Sequence, residues 1–218
     1  MNFAVHRLFS EVFGLFNLIT WPVQLIAYLT GIAAVIFALR PTEQRGRNVA
    51  IILAMAWLWI GGAYLILIVL RLASTGSPEE FILSALFILQ GILLFVYGTA
   101  LGRLRFGFAV NTIPMIGTGF IIYALVLHSL FGGIFARCTI FGVAPCPVTV
   151  FTFGLMLWAS RPFPLFLVIV PLLWSLLTLL PSGNSSMPSD PVVGLAGILG
   201  TILVIVRNRQ LKQELQNK

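Results

Sequence analysis

Apolar positions in this chain come in long unbroken runs rather than in alternation with polar ones. Seven runs are evident, each closed by arginine, glycine or proline. They are Trp21 to Leu39, Val49 to Leu70, Phe81 to Leu101, Thr112 to Phe131, Pro147 to Ser160, Leu165 to Leu180 and Pro191 to Val206. A helix that crosses a bilayer uses about 20 residues, because the hydrocarbon core is ~30 Å thick and each residue rises ~1.5 Å. In lipid, unpaired backbone groups are costly, so only helices and closed barrels span it. Barrel strands alternate polar and apolar residues, and these runs do not. The pattern therefore predicts an all-α polytopic membrane bundle of about seven transmembrane helices over residues 21–206.

Residues 1–20 differ in pattern. Phe3, Leu8, Phe9, Val12, Phe13, Phe16 and Ile19 recur at helical spacing, and His6, Ser10 and Asn17 lie on the other side. That predicts an uncleaved amphipathic helix in the membrane interface. Residues 207–218 form a basic tail and read as a short polar helix end. The fifth and sixth runs are short. Pro147 to Ser160 would rise only about 21 Å, so the pair extends into flanking loops, thins the bilayer, or forms a re-entrant hairpin at Arg161-Pro162-Phe163-Pro164.

A faint repeat is visible. Trp21-Pro22-Val23-Gln24 opens the first run and Cys146-Pro147-Val148-Thr149 the fifth, and both runs end at Arg-Pro. Runs two and six carry tryptophan, and runs three and seven end at arginine. This predicts a 3+1+3 arrangement of parallel repeats, as some transporters have.

Composition strengthens the membrane reading: 59% of residues are hydrophobic and 9% charged, where soluble domains carry about 25% charge. The excess of 13 Lys+Arg over 6 Asp+Glu suits membrane lipid headgroups and orientation rather than nucleic acid. Arg40, Arg45, Arg47, Arg103, Arg105, Arg161, Arg207, Arg209, Lys212 and Lys218 fall on one side of the threading, and Arg7, Arg71 and Arg137 on the other. The positive-inside rule then puts the amino terminus outside and the carboxy terminus in the cytoplasm.

The centres of the runs hold no Asp, Glu, Lys or Arg. Carboxylate-coupled pumping, a retinal Schiff base and Ser/His/Asp hydrolysis lack their groups, and the chain reads as neither an enzyme nor a cofactor protein. The uncharged polar residues Gln24, Tyr28, Tyr64, Gln90, Tyr97, Tyr123 and Thr152 are candidates for a cavity lining, with Pro22 and Pro147 as hinges; helix–helix hydrogen bonding is the alternative for the amides. His128 is a candidate pH-sensitive group or an interfacial histidine bonded to a carbonyl. Cys138 and Cys146 share one loop and are candidates for a disulfide, for structural thiols or for soft-metal capture, with a dedicated metal centre not expected. Gly61-Gly62 and Gly194, Gly197 and Gly200 are small residues suited to close helix contact and, in some proteins, to homo-oligomers.

One stretch is more specific: Phe141-Gly142-x-x-Pro145-Cys146-Pro147-x-Thr149-x-Phe151-Thr152-Phe153-Gly154. With Phe16-Asn17, Trp21-Pro22-x-Gln24, Trp57, Tyr64 and Pro171-Leu172-Leu173-Trp174-Ser175, it resembles a domain-of-unknown-function family of bacterial polytopic membrane proteins. The resemblance implies a multi-helix protein of the bacterial inner membrane and carries no activity with it. It does not include Cys138, which leaves Cys146 as a lone thiol on that reading. Three functions are then expected, in order: a small facilitative transporter or channel for an uncharged or polar solute; a membrane scaffold or sensor acting through a protein partner; and an extracytoplasmic thiol or soft-metal protein.

Overall fold

The computed structural model of the chain describes residues 21–69, 78–128, 141–142, 144–179 and 191–216. Seven helices occupy them: α1 (Trp21–Ala38), α2 (Glu43–Val69), α3 (Pro78–Leu94), α4 (Thr112–Ile122), α5 (Pro145–Leu157), α6 (Ile169–Leu177) and α7 (Pro191–Gln216). Wider π turns prolong α3 over Phe95–Ala100 and α4 over Tyr123–Leu127, and a 3-10 turn, Leu165–Val168, leads into α6. No strand occurs among the described residues; two isolated bridges, Phe106 with Ala159 and Phe141 with Ala144, are the extended contacts.

The helix starts follow local chemistry. Thr42 opens α2, its hydroxyl accepting from the Arg45 N–H at 3.3 Å, so the helix begins before the apolar run does. Pro145 and Pro147 both lie in the first turn of α5, where an N–H would have no intrahelical partner. Gly102, at φ +59°, turns the chain out of the π turn after α3.

Seven spanning helices were expected, and among the described residues three reach that length. Glu43–Ile66, Phe81–Ala100 and Pro191–Gln216 are long and apolar enough to cross a membrane, while Pro22–Ala38, Thr112–Leu127, Pro145–Leu157 and Leu165–Leu177 are apolar helices of 10–17 residues. α5 stops early because its last residues leave the helix to pair with another segment: Gly107 N–H donates to Trp158 O at 2.7 Å and Ser160 N–H to Arg105 O at 3.0 Å. The outer ends of the fourth and sixth runs, the interfacial segment 1–20 and Cys138 lie outside the described residues. The 207–218 tail continues α7 as far as Gln216 without a break.

The expected likeness of α1 and α5 is not seen in their packing. Every residue of α5 is buried, whereas among the described side chains of α1 only Gly31, Ala34 and Ala38 are. α5 sits in the middle, against α4, α7, α6 and α2. Small residues let it do so. A Cβ on Gly154 would lie 2.8 Å from Gly117 O, and one on Gly117 would lie 2.8 Å from Gly154 O, so the α4 and α5 backbones touch. Gly91 of α3 meets Ala54 O of α2 at 2.9 Å in the same sense. Gly194, Gly197 and Gly200 turn one face of α7 toward Leu179, Ser175 and Phe153.

The arginine-bearing helix ends gather at one end of the bundle. Glu43 at the start of α2 pairs with Arg47 and with Arg105 beyond α3, both at 3.0 Å. The 105–107 segment pairs with 158–160 after α5. Asn208 of α7 clamps Phe163, accepting from its N–H at 2.7 Å and donating to its carbonyl at 2.6 Å. Those contacts join the start of α2, the α3–α4 and α5–α6 connections and the last turns of α7, which lie far apart in the chain.

Candidate functional site

Two regions hold polar groups where chemistry is available: the aromatic interior and a groove at the arginine-bearing end. The interior begins with a backbone defect. Pro171 has no N–H, so the carbonyl of Leu167, four residues earlier, cannot take a donor from it. Gln90 of α3 supplies one, its Nε2 donating to Leu167 O at 2.9 Å. Gln90 is completely buried, and the bond accounts for its place in an apolar helix, since a bare carbonyl in a dry core is costly.

Thr152 solves a similar problem. Its hydroxyl donates to Val148 O at 2.7 Å and accepts from Trp57 Nε1 at 3.1 Å, which ties α5 to α2. Phe87 is the hub between these polar pairs, its ring 5.6 Å from Trp57, 5.6 Å from Tyr64 and 5.2 Å from Trp174. Ser84 adds a cross-helix bond to Gly61 O at 2.8 Å. Three polar atoms in this helix set, Gln90 Oε1, Thr149 Oγ1 and Trp174 Nε1, are buried without a hydrogen-bond partner among the described residues.

The expected cavity lining is therefore divided. Tyr64, Gln90 and Thr152 belong to the interior built around Phe87 and Trp57. Gln24 and Tyr28 are half-buried on α1, with the Tyr28 ring 5.6 Å from Phe141. Tyr97 stacks edgewise on Phe166 at 4.7 Å, with Arg103 6.0 Å above its face, at the arginine-bearing end. Tyr123 faces His128, its hydroxyl 3.5 Å from Nδ1; His128 is buried. Pro22 is exposed at the start of α1, and Cys146 and Pro147 are buried in the first turn of α5. Among the described residues no three His, Cys, Asp or Glu side chains cluster as metal ligands.

The second region escaped the sequence reading. A groove of about 730 Å³ lies between the start of α4 and the last turns of α7, lined by Val110, Asn111, Thr112, Ile113, Met115, Arg207, Gln210, Gln213 and Glu214. Arg207, read from sequence as a stop signal, is only 6% exposed. Its Nε donates to Ala159 O at 3.3 Å, and its Nη1 lies 3.9 Å from Glu214 Oε1. The available signal was the Arg-Asn pair inside a helical continuation: two polar residues that α7 carries inward on one face, with the four-residue step to Leu211, which is buried as well.

Exposed cations surround this end. Arg40, Arg103, Arg161, Arg209 and Lys212 all reach solvent-accessible positions. Glu43, by contrast, holds its two arginines in a local network, worth about 1 kcal/mol or less at such exposure.

No curated protein and no solved structure matches the chain. A family does match, over residues 6–215, nearly the whole length. The chain belongs to DUF6064, a family of unknown function.

Proposed function

We propose that the protein is a multi-pass integral membrane protein, with its amino terminus outside and its carboxy terminus in the cytoplasm, that serves as a scaffold or sensor through its arginine-rich end. The partner is an acidic protein segment, which complements Arg40, Arg103, Arg161, Arg209 and Lys212. One observation carries this choice over transport. The side chains that a solute path would use are engaged by the bundle's own groups: Gln90 by Leu167 O, and Thr152 by Trp57 and Val148 O. Ten of the thirteen basic residues lie on the proposed cytoplasmic side, which supports the orientation.

The test is cross-linking in native membranes. Ending the chain after Leu211 spares the Asn208 clamp and removes Lys212 to Lys218; reversing Arg209 and Lys212 to Glu leaves the helix intact. Both changes are expected to lose a cross-linked partner that the unaltered protein retains. An unchanged cross-linking pattern for both overturns the proposal.

A second reading, a small facilitative transporter or channel, is favoured by interior atoms on Gln90, Thr149 and Trp174 that have no hydrogen-bond partner among the described residues. It requires solute flux in proteoliposomes that falls on Gln90→Leu, whereas the scaffold reading requires none.

A further inference from the structure

We infer that the groove between α4 and α7 binds a zwitterionic phosphate–ammonium group, carried by the headgroup of a phosphoethanolamine lipid. The inference rests on the membrane reading above and assigns a ligand class to the arginine-rich end.

The argument starts from Arg207. A guanidinium has five N–H donors. Among the described residues it makes one hydrogen bond, to Ala159 O, and its nearest carboxylate, Glu214, is 3.9 Å away, beyond hydrogen-bond length. A cation this buried gains by an added acceptor, and its side chain lines a groove of about 730 Å³. The opposite wall presents the first turn of α4. Asn111 precedes it in extended conformation, with no side-chain cap bond, and the first N–H groups of a helix have no intrahelical partner. Thr112 and Ile113 carry such groups and Pro114 has none. Arg207 and this turn together suit a phosphate.

Glu214 sets the rest of the ligand. Its side chain is 60% exposed and stands on the same wall as Arg207. It repels a purely anionic ligand and attracts an ammonium. The groove thus holds one formal positive and one formal negative charge, with the amides of Asn111, Gln210 and Gln213 beside them. A carboxylate also favours a primary ammonium, which donates hydrogen bonds, over a quaternary one, which does not.

The surroundings favour a lipid over a soluble phosphate ester. Val110 is 81% exposed and Met115 58%, and both line the groove. Phe108, close by in sequence, is also exposed. These give glycerol and acyl groups an apolar edge, where an aqueous ligand gains nothing.

The experiment is native mass spectrometry of the full chain released from nanodiscs that contain phosphatidylethanolamine, phosphatidylcholine and phosphatidylglycerol in equal amounts. Soluble glycerophosphoethanolamine is titrated separately. Phosphatidylethanolamine is expected to be retained roughly fivefold over either other lipid, the ratio for about 1 kcal/mol per interfacial charge. Arg207 also supports the fold, so the test variants are at the exposed Glu214. Glu214→Gln should bring phosphatidylethanolamine down to the level of phosphatidylcholine, and Glu214→Lys should turn the preference to phosphatidylglycerol. Equal retention of all three lipids, or a preference that survives both variants, overturns the inference. Binding of the soluble ester as tight as that of the lipid overturns the lipid assignment. A chain that does not enter nanodiscs contradicts the membrane reading instead, and the soluble titration still tests the groove.

Discussion

α1 and α5 are built from the same kind of sequence and have opposite surroundings. Both are almost wholly apolar, and both carry proline in their first turn. Yet α5 has no accessible residue, while Leu25, Ile26, Leu29, Ile32 and Ile36 of α1 are exposed, Leu29 at 59%. In water such a face would be an interaction site or a liability; in the proposed bilayer it is the lipid-facing side. In that proposed setting hydrophobicity does not choose the core, since lipid tails are as apolar as leucine. Close backbone approach and buried hydrogen bonds choose it. α5 has Gly154 against Gly117 and Thr152 against Trp57, whereas α1 turns only Gly31, Ala34 and Ala38 fully inward.

Substitutions sharpen that contrast, and thermal unfolding in detergent or nanodiscs ranks them. Gly154→Leu should be the most damaging, about 3 kcal/mol or more, because its side chain meets Gly117 O and the Ile121 backbone nitrogen with no room to yield. Asn208→Ala comes next. It leaves both the N–H and the carbonyl of Phe163 without partners, at about 2–3 kcal/mol. Gln90→Leu should cost only about 1 kcal/mol: it bares Leu167 O but also removes the partnerless Gln90 Oε1. Leu29→Ala should change stability by less than about 0.5 kcal/mol, as surface substitutions do. A Leu29→Ala loss comparable to that of Gly154→Leu would break the comparison.

Much of the fold was legible in the sequence. Each of the seven apolar runs contains a helix, and the starts of α1, α4 and α7 coincide with the run boundaries. α2 begins earlier than its run because Thr42 caps a polar first turn that starts at Glu43, and capping does not register in hydropathy. α5 ends early because Trp158 to Ser160 pair with a segment some fifty residues away, a contact that no local pattern encodes. The identity of the central helix was hidden for the reason α1 and α5 teach: apolar content is the same on a lipid face and in an interior.

The candidate site was less legible. The amide of Gln90 was read as needing a partner, but the acceptor it meets, Leu167 O, lies 77 positions further on. Gln24 and Gln90 looked alike in sequence, yet Gln24 is half-buried on α1 and Gln90 is completely buried on α3. Arg207 and Asn208 were hidden in plain view, because arginine at the end of an apolar run is the ordinary sign of a membrane boundary. Their burial follows from α7 continuing as a helix past that boundary.

The most direct test of the central claim labels the protein from within the lipid. A carbene-generating diazirine dissolved in the bilayer of a proteoliposome inserts into whatever side chains it touches, and peptide mass spectrometry locates the products. The account predicts heavy labelling across Leu25 to Ile36 of α1 and none across Val148 to Leu157 of α5. Equal labelling of the two helices, or a chain left unlabelled in the aqueous fraction, would contradict it.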